Sequence, residues 1–214
     1  MNHTNHLYPV FMKLHQLRLL IVGAGQVGME KLSFILKSSP EAQITVVATW
    51  INSELPKLLE AYPDHRVTIY VRPFRASDVK GHDLVIAATN DRELNQQVWQ
   101  AAKDQHVLIN VADTPHRCDF YLGSIVTKGP VKIGISTNGQ SPTLAKRLRE
   151  LLEEMLPEEI GDLAGQLKAF RDQLGGDFEE KVRRLNELTA LLVSPAAAKD
   201  PITENVNVIT HEIA

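Results

Sequence analysis

The sequence predicts an α/β fold in which a doubly wound parallel sheet is followed by a β-hairpin and a small C-terminal helical unit. The strongest observation is the run Leu19-Leu-Ile-Val-Gly-Ala-Gly-Gln-Val-Gly28, where an apolar, strand-like stretch meets three glycines spaced G-x-G-x-x-G. A helical repeat of apolar residues, Leu32, Ile35 and Leu36, follows at once. Further strand-like and helical segments alternate as far as Asp113, which is typical of a Rossmann-type sheet.

Hydrophobic period and composition place the elements of this sheet. The helices are expected directly after the glycine run, over 53–61 with Pro56 in the first turn, and over 91–104, where Asn90-Asp-Arg-Glu93 resembles a capping box. The segment 83–88 is apolar at almost every position, which favours a strand buried on both faces. Strands are predicted at residues 10–14, 17–22, 44–48, 67–71, 83–88 and 107–111.

The pattern changes after Asp113. Strand-like segments at 120–127 and 131–137 flank Lys128-Gly129-Pro130 and predict a hairpin. Ser141 as N-cap and Pro142 as first helical residue open a helix that Pro157 ends, and helical spacing continues over 158–174 and 177–193. We expect a mobile tail at 196–214, in which 206–209 has strand-like composition. The predicted domains are therefore 1–113, 114–150, 151–195 and the tail.

Composition and charge restrict the class of protein. Of the 214 residues 43% are hydrophobic and the formal net charge is −3, which predicts a globular protein without a general attraction for nucleic acid or an anionic membrane. The single cysteine, Cys118, excludes an internal disulfide, and no apolar run approaches the roughly 20 residues that span a bilayer. The N-terminus lacks the basic-then-apolar layout of a signal peptide. A cytoplasmic location is the default expectation.

The glycine run predicts a dinucleotide site. Gly23 permits the tight turn, Gly25 lets the backbone approach a pyrophosphate, and Gly28 lets the helix pack on the strand. The second strand ends in Ala48-Thr49-Trp50, without the acidic residue that usually holds the ribose and without an arginine for a 2′-phosphate. We expect backbone groups and Thr49 to bind the ribose, and NAD rather than NADP as cofactor. A Rossmann-like domain that binds a sugar or a regulator without redox chemistry is the alternative.

Polar residues follow the fourth and fifth predicted strands. Thr89 and Asn90 lie where a nicotinamide would pass, or they form only a helix cap. Asp113 comes directly after the fifth strand, where a carboxylate can accept a proton while the cofactor takes a hydride, and an ordinary capped turn explains it equally well. His116 and Asp119 act as a base or a metal contact, or are solvated loop side chains. No zinc-type spacing is present, so no metal site is predicted.

The segment Ser136-Thr-Asn-Gly-Gln-Ser141 precedes a predicted helix. Its hydroxyl, amide and backbone N–H groups can hold carboxylates, or they can form a turn and cap. Five basic residues lie in the same third of the sequence: Lys128, Lys132, Lys146, Arg147 and Arg149. If these residues share a face with the strand ends, they would attract a polyanionic ligand. Otherwise they form a solvated helix surface.

Several motifs together resemble one known family. The glycine run alone is common to many families, whereas the motifs Asn-Val-x-Asp, Cys-Asp-Phe and Ser-Pro-x-Leu-Ala at these separations are specific. The chain thus resembles the precorrin-2 dehydrogenase family, which includes the N-terminal part of siroheme synthase and bifunctional sirohydrochlorin ferrochelatases. The matching segments are Tyr8-Pro-Val-Phe11, the glycine run, Val85-Ile-Ala-Ala-Thr-Asn-Asp91, Asn110-Val-Ala-Asp113, Cys118-Asp-Phe120 and Ile135-Ser-Thr-Asn-Gly-Gln-Ser-Pro-Thr-Leu-Ala145.

The resemblance implies NAD-dependent oxidation of precorrin-2 to sirohydrochlorin, a step of siroheme or cobalamin synthesis. It implies that Asp113 is the catalytic carboxylate, that a homodimer buries the segments after the sheet, and that some relatives also insert Fe²⁺ into sirohydrochlorin. The resemblance implies that Gln26-Val27 and Thr49-Trp50 contact the cofactor. Together with the residues singled out above, the predicted cofactor site is Gly23, Gly25, Gln26, Val27, Gly28, Thr49, Trp50, Thr89 and Asn90. The predicted tetrapyrrole site is Asn110, His116, Ser136, Thr137, Asn138, Ser141 and Lys146.

Two other functions compete with this interpretation. A non-enzymatic NAD-sensing module would need the glycine run but not Asp113 or the loop before Ser141. An oxidoreductase of another class, such as one acting on a hydroxy acid, is disfavoured because the sequence has no Tyr-x-x-x-Lys pair and no convincing histidine–carboxylate couple. The chain departs from the family pattern at Gln26, at His116-Arg117 and beyond Pro195.

Overall fold

The computed structural model describes residues 5–193 together with Val208, Ile209 and His211. These residues form two compact units, of which one comprises Tyr8–Leu122 and the other begins at Gly123 and includes residues 5–7. The finer division expected from the sequence, with boundaries at 113, 150 and 195, stays a prediction. In the described part of the chain no helix is both long and apolar enough to span a bilayer.

The Tyr8–Leu122 unit is built on a five-stranded parallel sheet, so the predicted Rossmann-type fold is confirmed. The strand order is β3-β2-β1-β4-β5, which places β1 at the centre. The strands are β1 (Arg18–Ala24), β2 (Gln43–Ile51), β3 (Arg66–Val71), β4 (Leu84–Ala87) and β5 (Leu108–Val111), and the helices are α1 (Gln26–Ser38), α2 (Leu55–Glu60) and α3 (Arg92–Asp104).

Helices cover both faces of this sheet. Successive residues of β1 point to opposite faces, so Leu19 and Ile21 pack with the α1 side chain of Leu36, whereas Leu20 packs with Val98 of α3. All four residues of β4 are buried, as predicted for a strand covered on both faces. These two apolar layers bury both faces of the sheet, from whose carboxyl edge the loops of the candidate site extend.

Two predictions in this unit need correction. Residues 10–14 do not form a strand, because the chain turns locally there: Leu14 N–H donates to Met12 O and Gln16 N–H to Lys13 O. The segment Asn90-Asp-Arg-Glu93 does not form the predicted capping box. The N-cap of α3 is Asp91, not Asn90, and its carboxylate accepts hydrogen bonds from the N–H groups of Glu93 and Leu94.

The second unit contains the predicted hairpin and helices. Strands β6 (Ser124–Lys128) and β7 (Val131–Ile135) pair antiparallel, with Val126 opposite Ile133. Ser141 caps α4 by accepting a hydrogen bond from Leu144 N–H, as expected. The helices of this unit are α4 (Pro142–Met155), α5 (Glu159–Gln173) and α6 (Phe178–Thr189).

The C-terminal tail is only partly described. Val208 and Ile209 are helical, so the expected strand at 206–209 is wrong for these two residues. Ile209 is fully buried and packs with Leu163 of α5, which contradicts a mobile tail at this position. Ile209 is buried because it forms an apolar cluster with Leu163. The expectations for residues 196–207, 210 and 212–214 lie outside the described residues.

Candidate functional site

Steric contact holds the glycine loop between β1 and α1. Gly23 has φ +104°, and a Cβ built there would lie 2.5 Å from Ala88 O. A Cβ on Gly28 would lie 2.1 Å from Gly23 O, so the first turn of α1 packs directly on the loop. Both positions therefore require glycine.

Gly25 differs from its two partners in the motif. It is the N-cap of α1 and makes no side-chain cap, and a Cβ built on it would meet no atom within 4 Å. The N–H groups of the first helical turn, beginning at Gln26 and Val27, have no acceptor within the helix. This open N-terminus with its free donors fits a dinucleotide pyrophosphate.

The carboxyl ends of β1, β4 and β5 bring three predicted segments together. Ala88 N–H donates to Val22 O, and Ala112 N–H donates to Ala87 O. The loop after β4 therefore lies beside the glycine loop, and the loop after β5 lies beside the loop after β4. This edge is where ligands bind in open parallel α/β sheets.

The loop after β4 is fixed by a residue that the sequence interpretation missed. Asn95 of α3 is only 7% exposed, and its Nδ2 donates to Thr89 O at 2.9 Å. The Thr89 hydroxyl donates to Asn95 Oδ1 at 2.8 Å, whereas Asn90 is exposed. The sequence does contain a sign of this pair. Asn95 is polar, yet it lies three residues before Val98 and seven before Ala102, at a spacing that places it on the buried face of α3.

The end of β2 supplies the predicted ribose side of the site. Ala24 is paired with Ile51 after a register shift, and Asn52 N–H donates to Ala24 O, so the strand end is attached to the glycine loop. Thr49 and Trp50 are exposed there, and Trp50 has 62% of its surface accessible. A hydroxyl and an indole face are thus available to a ligand at this edge.

Asp113 lies at the tip of the loop after β5. Its backbone is left-handed, with φ +55°, and its side chain is exposed. Within residues 5–193 the structure shows no hydrogen bond or ion pair on its carboxylate, so this group is available to a ligand. His116 is also exposed, on the short 3₁₀ turn Pro115–Arg117 of the same loop.

Asn110, expected at the substrate, lies within the protein. It is 7% exposed, and its Nδ2 donates to Phe120 O at 2.8 Å. Asp119 accepts hydrogen bonds from Ile109 N–H and from Lys103 Nζ. Both side chains therefore hold the loop that carries Asp113.

The loop before α4 belongs to the second unit. Thr137 and Ser141 hydrogen-bond to each other through the Thr137 hydroxyl, which donates to Ser141 O and accepts from Ser141 N–H. Asn138 is left-handed, with φ +54°, and its N–H donates to the Ser136 hydroxyl. The turn-and-cap alternative thus describes this segment.

The basic residues of the second unit are largely engaged in ion pairs. Lys128 pairs with Glu158, and Arg147 pairs with Glu150 at 2.6 Å. Lys146 is exposed and lies 3.9 Å from the Glu150 carboxylate. Because the pairs of Lys146 and Arg147 with Glu150 are exposed, they are weak and can exchange partners with an anionic ligand.

No group of three or more His, Cys, Asp or Glu side chains is arranged to hold a metal ion within the described residues. Burial raises the pKa of the Cys118 thiol, which accepts a hydrogen bond from Val111 N–H. The thiol is therefore protonated at neutral pH and acts as a hydrogen-bonding group.

Comparison with known proteins gives two family matches. A model described as "Putative NAD(P)-binding" matches residues 10–124, and one described as "Sirohaem biosynthesis protein central" matches residues 128–155. The first spans the whole parallel sheet, and the second spans β7 and α4.

Curated relatives include siroheme synthases. That of Mannheimia succiniciproducens is 34% identical over 177 residues, which are 83% of this chain and 34% of that protein. That of Nitrosomonas eutropha is 34% identical over 210 residues, which are 94% of this chain and 43% of that protein. The chain therefore spans less than half the length of these relatives.

Among solved structures, one titled "SirC, precorrin-2 dehydrogenase" matches with a TM-score of 0.67 and 24% sequence identity. The match covers 96% of this chain and 100% of that chain. At this identity the likeness establishes the shared fold, including the segments that follow the parallel sheet.

Proposed function

The chain belongs to the NAD(P)-binding family whose model covers its parallel sheet, and from this premise we propose that it oxidises precorrin-2 to sirohydrochlorin with NAD as hydride acceptor. The observation that carries the proposal is the arrangement at one sheet edge, where an open glycine loop and the unpaired carboxylate of Asp113 flank the loop of Thr89. The siroheme synthase relatives and the fold shared with SirC support the choice of substrate.

Each part of the edge has a role in this reaction. The first-turn N–H groups of α1 bind the pyrophosphate, and Thr49 with Trp50 receives the ribose and adenine. Thr89, held by Asn95, borders the nicotinamide. Bound NAD⁺ supplies the hydride acceptor.

Asp113 handles the proton of the oxidation. Precorrin-2 loses two hydrogens on becoming sirohydrochlorin: one leaves as a hydride and the other as a proton. The exposed Asp113 carboxylate accepts that proton and passes it to water, so its negative charge favours the departure of the hydride. For the tetrapyrrole's own carboxylates we assign, within the unit that carries Asp113, the exposed imidazole of His116.

The direct test supplies purified protein with precorrin-2 and NAD and follows NADH absorbance together with the tetrapyrrole spectrum. We expect both signals to change together. Protein that binds NAD by calorimetry but changes neither signal would instead be the NAD-sensing module that the glycine loop alone permits.

We infer that Asp113 also serves insertion of Fe²⁺ into sirohydrochlorin. Insertion releases two pyrrole N–H protons, and the exposed carboxylate can accept them one at a time. Anaerobic mixing of sirohydrochlorin, Fe²⁺ and protein should give the siroheme spectrum faster than the same mixture with Asp113→Asn. Equal rates would remove Asp113 from metal insertion.

We also propose that the protein forms a homodimer through α4. Leu144, Leu148, Leu151 and Met155 are spaced by four, three and four residues, and between 37% and 52% of each is exposed. This spacing forms a single apolar stripe suited to a second copy. Leu151→Glu should convert the dimer to a monomer in analytical ultracentrifugation, whereas Lys146→Glu on the opposite face should not.

We place the reaction in the cytoplasm. The one cysteine of the chain, Cys118, uses its thiol in hydrogen bonds and forms no disulfide. This usage fits a reducing compartment. Cell fractionation that finds the protein with cytoplasmic markers would agree with this location, and recovery in an oxidising compartment would contradict it.

A further inference from the structure

The loop that carries Asp113 folds back along the open edge of the sheet. Strand β5 is the last strand, so the N–H and C=O groups of Ile109 and Val111 on its outer side have no neighbouring strand. Asp119 N–H donates to Ile109 O at 2.8 Å, and Ile109 N–H donates to Asp119 Oδ2 at 3.0 Å. Residue 119 thus occupies the place of a strand residue.

Cys118 contacts the outer edge of β5 in the same way at Val111, the next residue whose backbone groups point outward. Its Sγ lies 3.3 Å from both Val111 N and Val111 O, and 3.4 Å from Thr114 O. A neutral thiol can accept from the Val111 N–H and donate its hydrogen to one of the two carbonyls. Because Val111 and Thr114 lie on either side of the Ala112–Asp113 tip, Cys118 closes the base of the loop.

Helix α3 anchors the same segment from a second side. Lys103 forms an ion pair with Asp119, and the guanidinium of Arg117 lies 5.6 Å from the centre of the Trp99 ring. A cation at this distance over an indole is attracted to the ring face. The loop is therefore held at consecutive positions, Arg117, Cys118 and Asp119, each by a different contact.

This docking matters because, within residues 5–193, the structure shows no hydrogen bond or ion pair that would hold the Asp113 side chain. Its left-handed backbone, φ +55°, is uncommon for a residue other than glycine, although Asp tolerates it better than most, and its carboxylate is exposed. Such a conformation persists only where the surrounding chain imposes it. The surrounding chain is here fixed by the bond from Thr114 N–H to Val111 O and by Cys118.

We propose that Cys118 and Asp119 are positioning residues for Asp113: by docking residues 117–119 onto the edge of β5, they hold the Asp113 carboxylate at the site of proton transfer. This inference rests on the proposed oxidation of precorrin-2. Neither residue touches the substrate, so both act on turnover through Asp113 rather than on cofactor binding.

The kinetic test compares Cys118→Ala with Cys118→Ser. Alanine cannot bond to the Val111 or Thr114 backbone, so we expect kcat to fall about tenfold, the loss that follows from roughly 1.4 kcal/mol of misplacement. Serine keeps a donor and an acceptor and should restore most of the rate. The Kd for NAD should not change in either variant, because the glycine loop is untouched.

A double variant separates positioning from a general structural role. In the background of Asp113→Asn, Cys118→Ala should cause no further loss of kcat, because the group that it positions is already gone. An equal tenfold loss in both backgrounds, or a wild-type kcat in Cys118→Ala, would overturn the inference.

A second measurement needs no substrate. Cys118 is the single thiol of the chain, so its rate of reaction with 5,5′-dithiobis(2-nitrobenzoate) reports opening of the loop. Asp119→Asn weakens the bonds to Lys103 and Ile109 and should increase this rate, whereas the matched Asp104→Asn should not. Asp104 is exposed, and among the described residues its carboxylate accepts a hydrogen bond from Gln100 alone.

The two results distinguish the possible failures. A wild-type protein that does not oxidise precorrin-2 would refute the proposed function even if the labelling rate responds as expected. If the wild-type protein is active but Asp119→Asn and Asp104→Asn are labelled at equal rates, docking by Asp119 is refuted and the proposed function is not. Faster labelling of Asp119→Asn together with a lower kcat of Cys118→Ala supports both the docking and the proposed function.

Discussion

The glycine loop after β1 and the Asp113 loop after β5 lie at the same edge of one sheet, yet different contacts hold them. The glycine loop is fixed by close approach of backbone to backbone, with Gly28 pressed against Gly23 O. The Asp113 loop is fixed by side chains, namely Cys118 and Asp119 on the edge of β5. The difference teaches that the glycine loop tolerates no added atom at Gly23 or Gly28, whereas the Asp113 loop depends on a few hydrogen bonds.

The largest effect is expected at Asp113. Asp113→Asn keeps the size of the side chain and its tolerance of a left-handed backbone but removes the proton acceptor. We expect kcat for precorrin-2 oxidation to fall about 100-fold or more. Calorimetry should give an unchanged NAD affinity, since the carboxylate is not at the pyrophosphate. A variant with wild-type turnover would exclude Asp113 as the base.

The next effect is expected within the glycine loop. Gly28→Ala places a methyl group against Gly23 O and should lower the free energy of unfolding by roughly 1–3 kcal/mol, with loss of NAD binding. Gly25→Ala is the matched control, because its Cβ meets open space. Chemical denaturation measures both. Equal destabilisation by the two variants would show that close packing does not distinguish these glycines.

Gly25→Asp separates binding from packing at the open position. The added carboxylate meets no protein atom at its Cβ but repels a pyrophosphate at the N-terminus of α1. We expect weaker NAD binding by calorimetry, with little change in the unfolding transition. Unchanged affinity would mean that the glycine loop is only architectural.

A smaller effect is expected at the loop after β4. Asn95→Ala leaves Thr89 without its buried partner and should lower the free energy of unfolding by about 1–3 kcal/mol. NAD binding should weaken as well if Thr89 borders the nicotinamide as we propose. Gln96→Ala, at the exposed neighbouring position of α3, is the control and should behave as wild type.

The smallest effect is a pH dependence in the segment that follows β3, where Arg72 pairs with Asp78 of the 3₁₀ turn Ala76–Val79. Burial acts to raise the pKa of the Asp78 carboxyl, but hydrogen bonds from the Arg72 guanidinium and the Arg75 N–H outweigh it and lower the pKa below its ordinary value. The stability contributed by this ionised group is therefore present at neutral pH and is lost as pH falls through the folded-state pKa.

Unfolding measured on wild type and Asp78→Asn tests this contribution. The variant should be less stable by about 1 kcal/mol at neutral pH, as expected for a partly exposed ion pair. The difference should shrink once acid protonates Asp78 in the wild type. A difference that stays constant into acid would contradict a charge effect.

The sequence predicted those features that local pattern determines. The glycine turn, the buried β4, the hairpin and the Ser141 cap each follow from neighbouring residues in the chain. The roles of Asn95, Cys118 and Asp119 were not predictable in this way, because each depends on backbone groups that only the folded sheet brings near.

The two incorrect strand predictions have different causes. Residues 10–14 have a strand-like pattern, but a local turn forms there, and Leu14 O accepts a hydrogen bond from Gln43 N–H at the start of β2 without forming a strand. Ile209 has strand-like neighbours, but it packs with Leu163 in a helical context. A local turn therefore decided the first conformation, and a tertiary contact that the sequence pattern does not contain decided the second.

The most direct measurement is the stoichiometry of turnover by the wild-type protein given precorrin-2 and NAD. If a hydride passes between the two molecules at the edge formed by β1, β4 and β5, one NADH should form for each sirohydrochlorin, and Asp113→Asn should slow both equally. Sirohydrochlorin formed without NADH, or bound NAD with no oxidation at all, would contradict a dehydrogenase at this edge.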